Sequence, residues 1–376
     1  MADTLTERQA FMILNDLPNI GPITLNRLLQ ELGGDPREIL TADKRRLESV
    51  RGVGPETSAA LMNWRTHFDL AREEERLAQA GAVFITARDE GYPKMLKEIH
   101  DPPIGLYRKG SYLFAQPCIA VVGSRRTTLY GQSVAKKLGA ELAQMGFCVV
   151  SGLARGIDTA AHEGALSVGG KTVAVLGCGI DIVYPPENLD LYRRIAETGA
   201  VLSEFPFGRK ADKQSFPMRN RVVSGICEGV VVVESDVQGG AMITARFAGE
   251  QGRLIFAVPG RIDQSTSQGC HQLIRDGATL LTGVDDILDE LNYLDGLRPK
   301  AIATEGEPSV LEQLLPQLDG KERRVFDCFK GGSMLGIDAL TAVTGFAASE
   351  VSATLMMLEL KKLVSKRADG TFEARS

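Results

Sequence analysis

The chain has 376 residues, of which 44% are hydrophobic and 24% are charged, and its formal net charge is −5. A single hydrophobic core stops growing at roughly 250–300 residues, so this length predicts two or three domains. No apolar run approaches the roughly 20 residues of a membrane span, and the start MADTLTERQA does not resemble a secretory signal. We therefore expect a cytoplasmic protein that does not associate with a membrane.

The cysteines are widely spaced, with no CxxC pair, and only Cys270 has a histidine beside it, His271. Zinc sites and disulfide frameworks normally have closely spaced ligands or recognisable cysteine patterns. The sequence therefore predicts neither a metal nor a disulfide framework, and we expect no cofactor.

The acidic net charge does not exclude a nucleic-acid partner, because charges act locally, within a Debye length of about 8–10 Å. The segment 205–225 is basic although the chain is acidic. Its only acidic residue is Asp212, and its basic residues are Arg209, Lys210, Lys213, Arg219 and Arg221.

Two similar glycine turns lie near the N-terminus, LPNIGP at 17–22 and VRGVGP at 50–55, and each leads into a helical pattern. They resemble the turns of helix-hairpin-helix and SAM-like modules, where the backbone approaches a phosphate and a helix N-terminus supplies amide donors. They are equally typical of structural turns in a small helical domain. We predict a helical domain over residues 1–82 and leave its contact with DNA open.

From Cys118 onward, short apolar runs alternate with helical segments such as Tyr130–Met145 and Asp158–Val168. Continuous apolar runs are typical of strands buried on both faces of a parallel sheet. The pattern predicts an α/β, Rossmann-like, doubly wound and mostly parallel sheet over residues 83–295. The predicted strands are Ile119–Val122, Phe147–Val150, Thr172–Leu176, Ala200–Leu202, Val230–Val233, Leu254–Val258 and Ala278–Leu281.

The stretch from Leu294 to Val310 has proline and glycine but no apolar periodicity, so we interpret residues 296–310 as a linker. Beyond it, residues 311–376 follow the order helix, helix, helix and hairpin. This order is typical of a winged helix, with Asp369 and Gly370 as the turn of the wing.

The loops after the predicted strands are rich in small residues that leave backbone amides exposed, and several open a helix. Ligands of open parallel sheets bind at the carboxyl ends of the strands, so these loops predict an anion cradle for phosphate. In the alternative interpretation, a single glycine of this kind has no ligand and simply lets a helix pack closely against a strand. The loops are GSRRT at 123–127, SGLARGID at 151–158, GCGID at 177–181 and QGGAMIT at 238–244.

The residues expected of other chemistries are missing. Neither GxGxxG after the first predicted strand nor GxxxxGK[ST] occurs, which argues against a dinucleotide fingerprint and a Walker loop. No nucleophile has a paired base. His162 is expected to cap or pack rather than to catalyse, and Asp158 is expected to cap the same helix.

The stretch 215–222, SFPMRNRV, combines cations with an aromatic ring. Phosphates of a single strand pair with arginine, and a splayed base stacks on a ring such as Phe216. In the alternative interpretation, Phe216 is buried under the sheet and the arginines form structural ion pairs with Glu204 or Glu234.

These segments closely resemble the DNA-processing protein A family, also called DprA or Smf. They follow the family's order over residues 119–278, and the helical N-terminus and winged-helix C-terminus resemble the longer members. The resemblance implies a homodimeric single-stranded DNA-binding protein that protects DNA entering by natural transformation and loads the RecA recombinase onto it. The matching stretches are IAVVGSRRTTLYG, VVSGLARGIDTAAHEGAL, TVAVLGCGIDIVYPPENLDLY, SEFPFG, SFPMRNRVVSG, VVVVES, TARFAGEQGR, FAVPG and QGCHQLIRDGA.

The resemblance also implies individual DNA contacts. The family's GSR loop and RNR segment match residues 123–125 and 219–221, with Lys213 and Phe216 just upstream. Pro186 stands where members commonly carry a basic residue, and Gly239 stands where many have serine. Together the loops and the resemblance predict DNA binding by Gly123, Ser124, Arg125, Ser151, Gly152, Arg155, Gly156, Gly177, Gly179, Lys213, Phe216, Arg219, Asn220, Arg221, Gly239 and Gly240.

Two other functions stay open. Residues 239–244 superficially fit the PGGxGTxxE motif of phosphoribohydrolases, but either alignment puts Arg246 or Phe247 where the catalytic glutamate belongs. The winged helix could instead read double-stranded DNA, with Lys366 and Arg367 in a basic wing. Its presumed recognition helix, SEVSATLMMLEL, has few side chains that read base edges, so we favour packing or protein contact for this module.

Overall fold

The structure is a computed structural model of the chain that describes residues 5–291, 318–329, 335–361, 363–366 and 370–374. The chain divides into two compact units, residues 1–300 and 301–376. The predicted linker, residues 296–310, lies outside the described residues, and so do Arg367 and Asp369 of the predicted wing.

Helices form the N-terminal region, as predicted. Thr6 begins the first helix with a complete capping box, and Pro22, Pro36 and Pro55 lie where a helix needs no amide donor. The helices are α1 (Glu7–Asp16), α2 (Pro22–Glu31), α3 (Pro36–Thr41), α4 (Lys44–Glu48), α5 (Pro55–Met62), α6 (Trp64–His67) and α7 (Leu70–Ala80).

The two N-terminal glycine turns share one backbone conformation. Asn19 and Gly52 occupy the same position in the two turns and both have positive φ, 63° and 93°. The next residue is buried in each case, and Gly21 and Gly54 then cap α2 and α5 in extended conformation. The similar sequences of the two turns therefore have similar backbone conformations. A DNA contact by these turns stays a prediction.

Nine strands form one sheet in the order β1-β2-β6-β5-β4-β3-β7-β8-β9. The strands from β6 to β9 in this order are parallel, while β2 pairs antiparallel with both β6 and β1. Every predicted strand is present, and the antiparallel edge pair is an addition. The strands are β1 (Ala82–Ile85), β2 (Leu106–Lys109), β3 (Cys118–Val122), β4 (Cys148–Ser151), β5 (Thr172–Leu176), β6 (Ala200–Ser203), β7 (Gly229–Val232), β8 (Leu254–Ala257) and β9 (Thr279–Leu280).

Helices cover both faces of this sheet, which confirms the doubly wound α/β prediction. Alternate residues of β3 belong to different hydrophobic clusters, Ala120 and Val122 to one, and Ile119 and Val121 to the other. Both faces of the strand are therefore buried. The helices are α8 (Leu129–Gln144), α9 (Ile157–Ser167), α10 (Leu189–Thr198), α11 (Ser215–Ile226), α12 (Gly240–Glu250), α13 (Ser265–Arg275) and α14 (Val284–Glu290).

The N-terminal helices and the sheet share one hydrophobic cluster. The Tyr107 ring lies edge-on to Phe84 and Phe207, with centroid distances of 5.1 and 5.5 Å. Its hydroxyl donates to the Glu73 carboxylate on α7 at 2.8 Å. The predicted boundary at residues 82 and 83 thus lies inside one compact unit and stays a prediction.

The second unit has the predicted order of a winged helix in its described residues: α15 (Gly320–Asp327), α16 (Ile337–Thr344), α17 (Ala348–Leu360), then antiparallel β10 (Val364–Lys366) and β11 (Phe372–Ala374). Val325, Leu340, Leu355 and Phe372 belong to its own core. Taken singly, no helix in the described ranges is long and apolar enough to cross a membrane. The helices α16 and α17 reach the length and apolar composition of a membrane span only when they are taken together, and the chain bends by 109° between them.

Candidate nucleic-acid interface

A crevice of about 510 Å³ lies at the carboxyl edge of the sheet. The strand order changes direction at β3. The strands β4, β5 and β6 follow on one side of it, and β7, β8 and β9 follow on the other. Such a switch point is where open α/β sheets bind ligands. The loops after β3 and β4, the segment after β7, one face of α11 and the first turn of α12 line the crevice.

The loop after β3 is fixed by hydrogen bonds that leave its arginines exposed. The Ser124 amide donates to the Glu234 carbonyl oxygen at 2.7 Å, and Ser124 Oγ accepts from the Arg126 amide at 3.1 Å. The buried Glu234 carboxylate accepts from Thr127 Oγ1 at 2.6 Å. Arg125 and Arg126 therefore extend from a well-defined loop into the crevice.

The loop after β4 is held by Asp158. Its Oδ2 accepts from the amides of Gly152 at 3.1 Å and Ala154 at 3.3 Å, while Gly156 is the residue that caps α9. The sequence predicts that Asp158 caps the helix. In the structure its carboxylate instead holds the preceding loop. Burial raises the pKa of this carboxyl, and the nearby Arg219 partly opposes the shift.

Arg219 reaches the crevice from below and is itself buried. Its Nη1 donates to the carbonyl oxygens of Gly152 and, at 2.7 Å, Val175, and its Nε donates to Asn220 Oδ1 at 3.1 Å. A Cβ on Gly152 would lie 2.2 Å from Nη1, so only glycine leaves space for the guanidinium. Arg219 joins two strand ends and adds positive potential to the floor of the crevice.

An aromatic and cationic wall forms the rim. The Arg125 guanidinium lies over the Phe216 ring, 4.6 Å from its centroid, and the Tyr184 ring lies 6.1 Å from the same ring at 44°. Phe216 is half-buried and Lys213, one turn before it, is exposed. Cations beside aromatic rings are suited to a sugar-phosphate chain with unstacked bases.

The opposite side is formed by the start of α12. Gly239 caps this helix, and a Cβ on Gly240 would meet no atom within 4 Å, so the backbone there is open to a ligand. Asn220 Nδ2 donates to the Gly240 carbonyl oxygen at 3.3 Å and ties α11 to α12. A helix N-terminus of this kind favours an anion.

The structure brings most of the predicted residues together. Gly177 lies in a small recess that adjoins the crevice and also involves Arg125, Phe216 and Tyr184. The predicted residues that line the crevice itself are Gly123, Ser124, Arg125, Gly152, Lys213, Phe216, Arg219, Asn220, Gly239 and Gly240.

Arg221 does not line the crevice, so the structure gives no support to its predicted DNA contact. Its side chain is 5% exposed, Nη2 donates to the Glu204 carboxylate, and Nε lies 3.3 Å from Asp101 Oδ2. The alternative interpretation, a structural ion pair with Glu204, describes this arginine. Burial raises the pKa of Glu204, and Arg221 opposes the shift.

Four other predicted residues lie outside the crevice lining and have local roles. Ser151 Oγ is buried and donates to the Val121 carbonyl oxygen at 2.7 Å. Gly179 donates its amide to the Arg209 carbonyl oxygen at 2.8 Å. Gly156 has φ of 80° and lies against the Ser124 carbonyl oxygen, and Arg155 pairs with Glu187. These residues shape the loops that carry the crevice.

His162 packs in the core, as predicted. It is fully buried, and its Nδ1 lies 2.7 Å from Thr172 Oγ1. Burial lowers its pKa from 6.5 to about 3, so the imidazole is neutral at pH 7.

The sequence interpretation missed several lining residues, including Ser235, Asp236 and Tyr184. Ser235 and Asp236 lie in the segment that follows β7, three and four residues after its end, so the strand-end rule that selected the other loops applies to them as well. Asp236 also shows that the crevice is not purely cationic. Tyr184 had no comparable signal, because it lies in a longer loop after β5.

The chain is similar to known proteins over most of its length. The family model for DNA recombination-mediator protein A matches residues 83–292, and the model for the DprA winged helix domain matches residues 309–370. Protein Smf of Synechocystis sp. is 32% identical over 98% of this chain and 99% of its own length. DNA processing protein DprA of Streptococcus pneumoniae is 45% identical over 54% of this chain and 73% of its own length.

Two solved structures are similar to the chain. DNA processing protein A from Streptococcus pneumoniae has a TM-score of 0.67 and 35% identity, covering 76% of this chain and 98% of that one. DNA processing protein A from Helicobacter pylori, described for its single-stranded DNA binding mode, has a TM-score of 0.51 and 31% identity, covering 56% and 96%. Matched over its sheet domain, its winged helix and nearly its whole length, the chain belongs to the DNA processing protein A (DprA/Smf) family.

Proposed function

We propose that this chain binds single-stranded DNA in the crevice at the ends of β3, β4 and β7. The observation that carries the proposal is the convergence of Arg125, Lys213 and Arg219 on one crevice, beside the Phe216 ring. The binding mode for which the Helicobacter pylori relative is described supports the same ligand. Cations on separate faces of the domain could not bind one phosphate chain together.

In this proposal the phosphates are held by charge and by backbone amides. Arg125 and Lys213 are exposed and reach the backbone of the strand, while the open backbone at Gly240 and the helix N-terminus accept another phosphate. Such contacts do not read sequence, so binding depends on ionic strength more than on base identity.

We propose a binding role without turnover. The Streptococcus pneumoniae relative named above is a DNA processing protein, and the competing nucleotide-cleaving function requires a glutamate at position 246 or 247 of α12. The glycine alignment puts the catalytic glutamate at position 246, where this helix carries an arginine. Arg246 is exposed, and its Nε lies 3.7 Å from Glu250 Oε1. Incubation with nucleoside monophosphates, followed by measurement of released base, tests the point.

The proposal extends to a cellular role, for which membership of the family is the support. We propose that the protein is a cytoplasmic homodimer that protects single strands entering by natural transformation and loads RecA onto them for recombination. The H. pylori relative's single-strand binding mode and the phosphate chemistry of the crevice support the first step of this role.

The test is a fluorescence anisotropy titration of a labelled single strand, with duplex DNA and mononucleotides as competitors, at several salt concentrations. We expect preference for the single strand, with log affinity falling by about 0.7 per neutralised phosphate for each unit of log salt. Arg125→Ala should weaken binding of all sequences alike and make the slope shallower by about 0.7.

The matched control is Arg193→Ala, which removes an exposed arginine of α10 outside the crevice lining. It should leave both affinity and slope close to those of the unmodified protein. An unchanged slope in both Arg125→Ala and Lys213→Ala would contradict the proposal.

A further inference from the structure

Tyr184 is an aromatic side chain left open at the carboxyl edge of the sheet. It is 41% exposed, whereas Tyr92 and Tyr107 of the same unit are fully buried. It follows β5 and lies in the recess that adjoins the crevice, together with Arg125 and Phe216. A large ring with two fifths of its surface open to solvent is not explained by packing alone.

Phe216, by contrast, is already engaged by its neighbours. The Arg125 guanidinium carbon lies 4.6 Å from its centroid, and a Cβ on Gly177 would be 3.1 Å from its Cδ1 atom. A base that stacks on the face under Arg125 has to displace that guanidinium. Phe216 is thus placed to orient Arg125, and the ring with open surface is Tyr184.

The surroundings of Tyr184 carry positive charge on two sides. Arg125 belongs to the same recess. Arg155 pairs with Glu187, which follows Tyr184 by three residues in the same loop, so its guanidinium is held at the loop that carries the tyrosine. An open ring in a loop with arginines nearby matches the pattern of single-strand binding sites, where bases stack on rings and phosphates pair with cations.

We propose that Tyr184 forms a second nucleotide subsite beside the crevice, in which a base of the bound single strand stacks on its exposed ring. This inference rests on the proposed single-strand binding and extends it. The subsite accepts any nucleobase, because every base offers a π face, and it requires that the base be unpaired. Arg155 and Arg125 hold the flanking phosphates.

The test compares two labelled strands of equal length and charge, oligo(dT) and an abasic strand that keeps the phosphates and lacks the bases. In the full-length protein, Tyr184→Ala should weaken oligo(dT) binding about tenfold and leave the abasic strand within about twofold. Tyr184→Phe should keep the affinity for both strands. Tyr184→Leu keeps apolar bulk against Phe216 but has no aromatic ring, and should behave like Tyr184→Ala.

The outcomes separate the inference from the function on which it rests. Equal losses on both strands would mean that Tyr184 acts only on the shape of the loop, and unchanged oligo(dT) binding in Tyr184→Ala and Tyr184→Leu would mean that no base stacks there. Either result overturns the inference while single-strand binding by the unmodified protein stands. If the unmodified protein binds neither strand, the proposed function itself is wrong.

Discussion

Two arginines that are two residues apart have different roles, because they lie on a helix. Phe216, Arg219, Asn220 and Val223 follow helical spacing and line the crevice from one face of α11. Arg221 falls on another face and is buried against Glu204. In the sequence, residues 219–221 form one continuous basic segment, whereas the helix places Arg219 at the crevice and Arg221 away from it.

The burial of Arg221 predicts a loss of stability when its charge is removed. Arg221→Ala leaves the Glu204 carboxylate, 9% exposed, without its cation in the protein interior. Breaking a buried ion pair by removing one partner typically costs about 3–5 kcal/mol. We expect the free energy of unfolding, measured by urea denaturation with circular dichroism, to fall by an amount of this order.

Lys213→Ala is the comparison, because Lys213 is an exposed cation of the same segment. Its unfolding free energy should stay within about 0.5 kcal/mol of the unmodified value, while its affinity for single-stranded DNA falls. If Arg221→Ala kept its stability and lost only DNA affinity, the structural role given to Arg221 would be wrong.

At the scale of elements, the parallel strands could be predicted and the edge strands could not. β3 and β5 are buried on both faces, so their sequences are continuous apolar runs. β2, with the sequence LYRK, is only partly buried and pairs antiparallel, so it lacks this signal. In α11, Pro217 suggests a break, yet it lies in the first turn, where proline is tolerated.

The convergence of loops at the crevice depends on close backbone contact, which sequence patterns do not encode. Gly156 has φ of 80°, and a Cβ there would lie 2.4 Å from the Ser124 carbonyl oxygen and 3.1 Å from that of Arg125. Only glycine accepts both this conformation and this contact. The loop after β4 thereby supports the loop that carries Arg125.

We therefore expect Gly156→Ala to lower both stability and single-strand affinity. The added methyl group strains the backbone and pushes the loop after β3, which displaces Arg125. The cost in unfolding free energy should be about 1–3 kcal/mol. Urea denaturation and anisotropy titration of the same preparation measure the two effects.

Gly169→Ala separates conformation from contact. Gly169 has φ of 67°, but a Cβ there meets no atom within 4 Å. Its replacement should cost about 1–2 kcal/mol from the left-handed conformation alone and leave DNA affinity unchanged. Equal effects of the two substitutions on DNA binding would refute a specific role for the contact between the loops.

At the scale of the whole molecule, the three-part order could be predicted from changes in hydrophobic pattern, but the joining of its parts could not. The N-terminal helices contribute Glu73, whose carboxylate accepts from the Phe207 amide at 3.3 Å as well as from Tyr107. The chain then runs from Phe207 into the basic segment that reaches the crevice. The helical region therefore supports the crevice, an arrangement that depends on long-range packing.

The second unit has a core of its own. In the described residues, the cluster around Val325, Leu355 and Phe372 draws only on residues of 301–376, and the clusters of the sheet and N-terminal helices draw only on residues of 1–300. The exposed side of α17 includes Ala353, Met356 and Leu360, which offer no hydrogen-bonding groups to DNA bases.

A chain ending at residue 300 should therefore fold and bind single-stranded DNA much as the full chain does. Because each core is built within its own unit, removal of residues 301–376 leaves the three clusters of the first unit complete. We expect single-strand affinity within about twofold of the full-length value, measured by anisotropy at matched salt. Cooperative unfolding of the shortened chain establishes that it is folded. If it unfolds cooperatively and yet loses single-strand binding, part of the DNA-binding surface belongs to the winged helix, and the crevice at β3 and β7 is not sufficient.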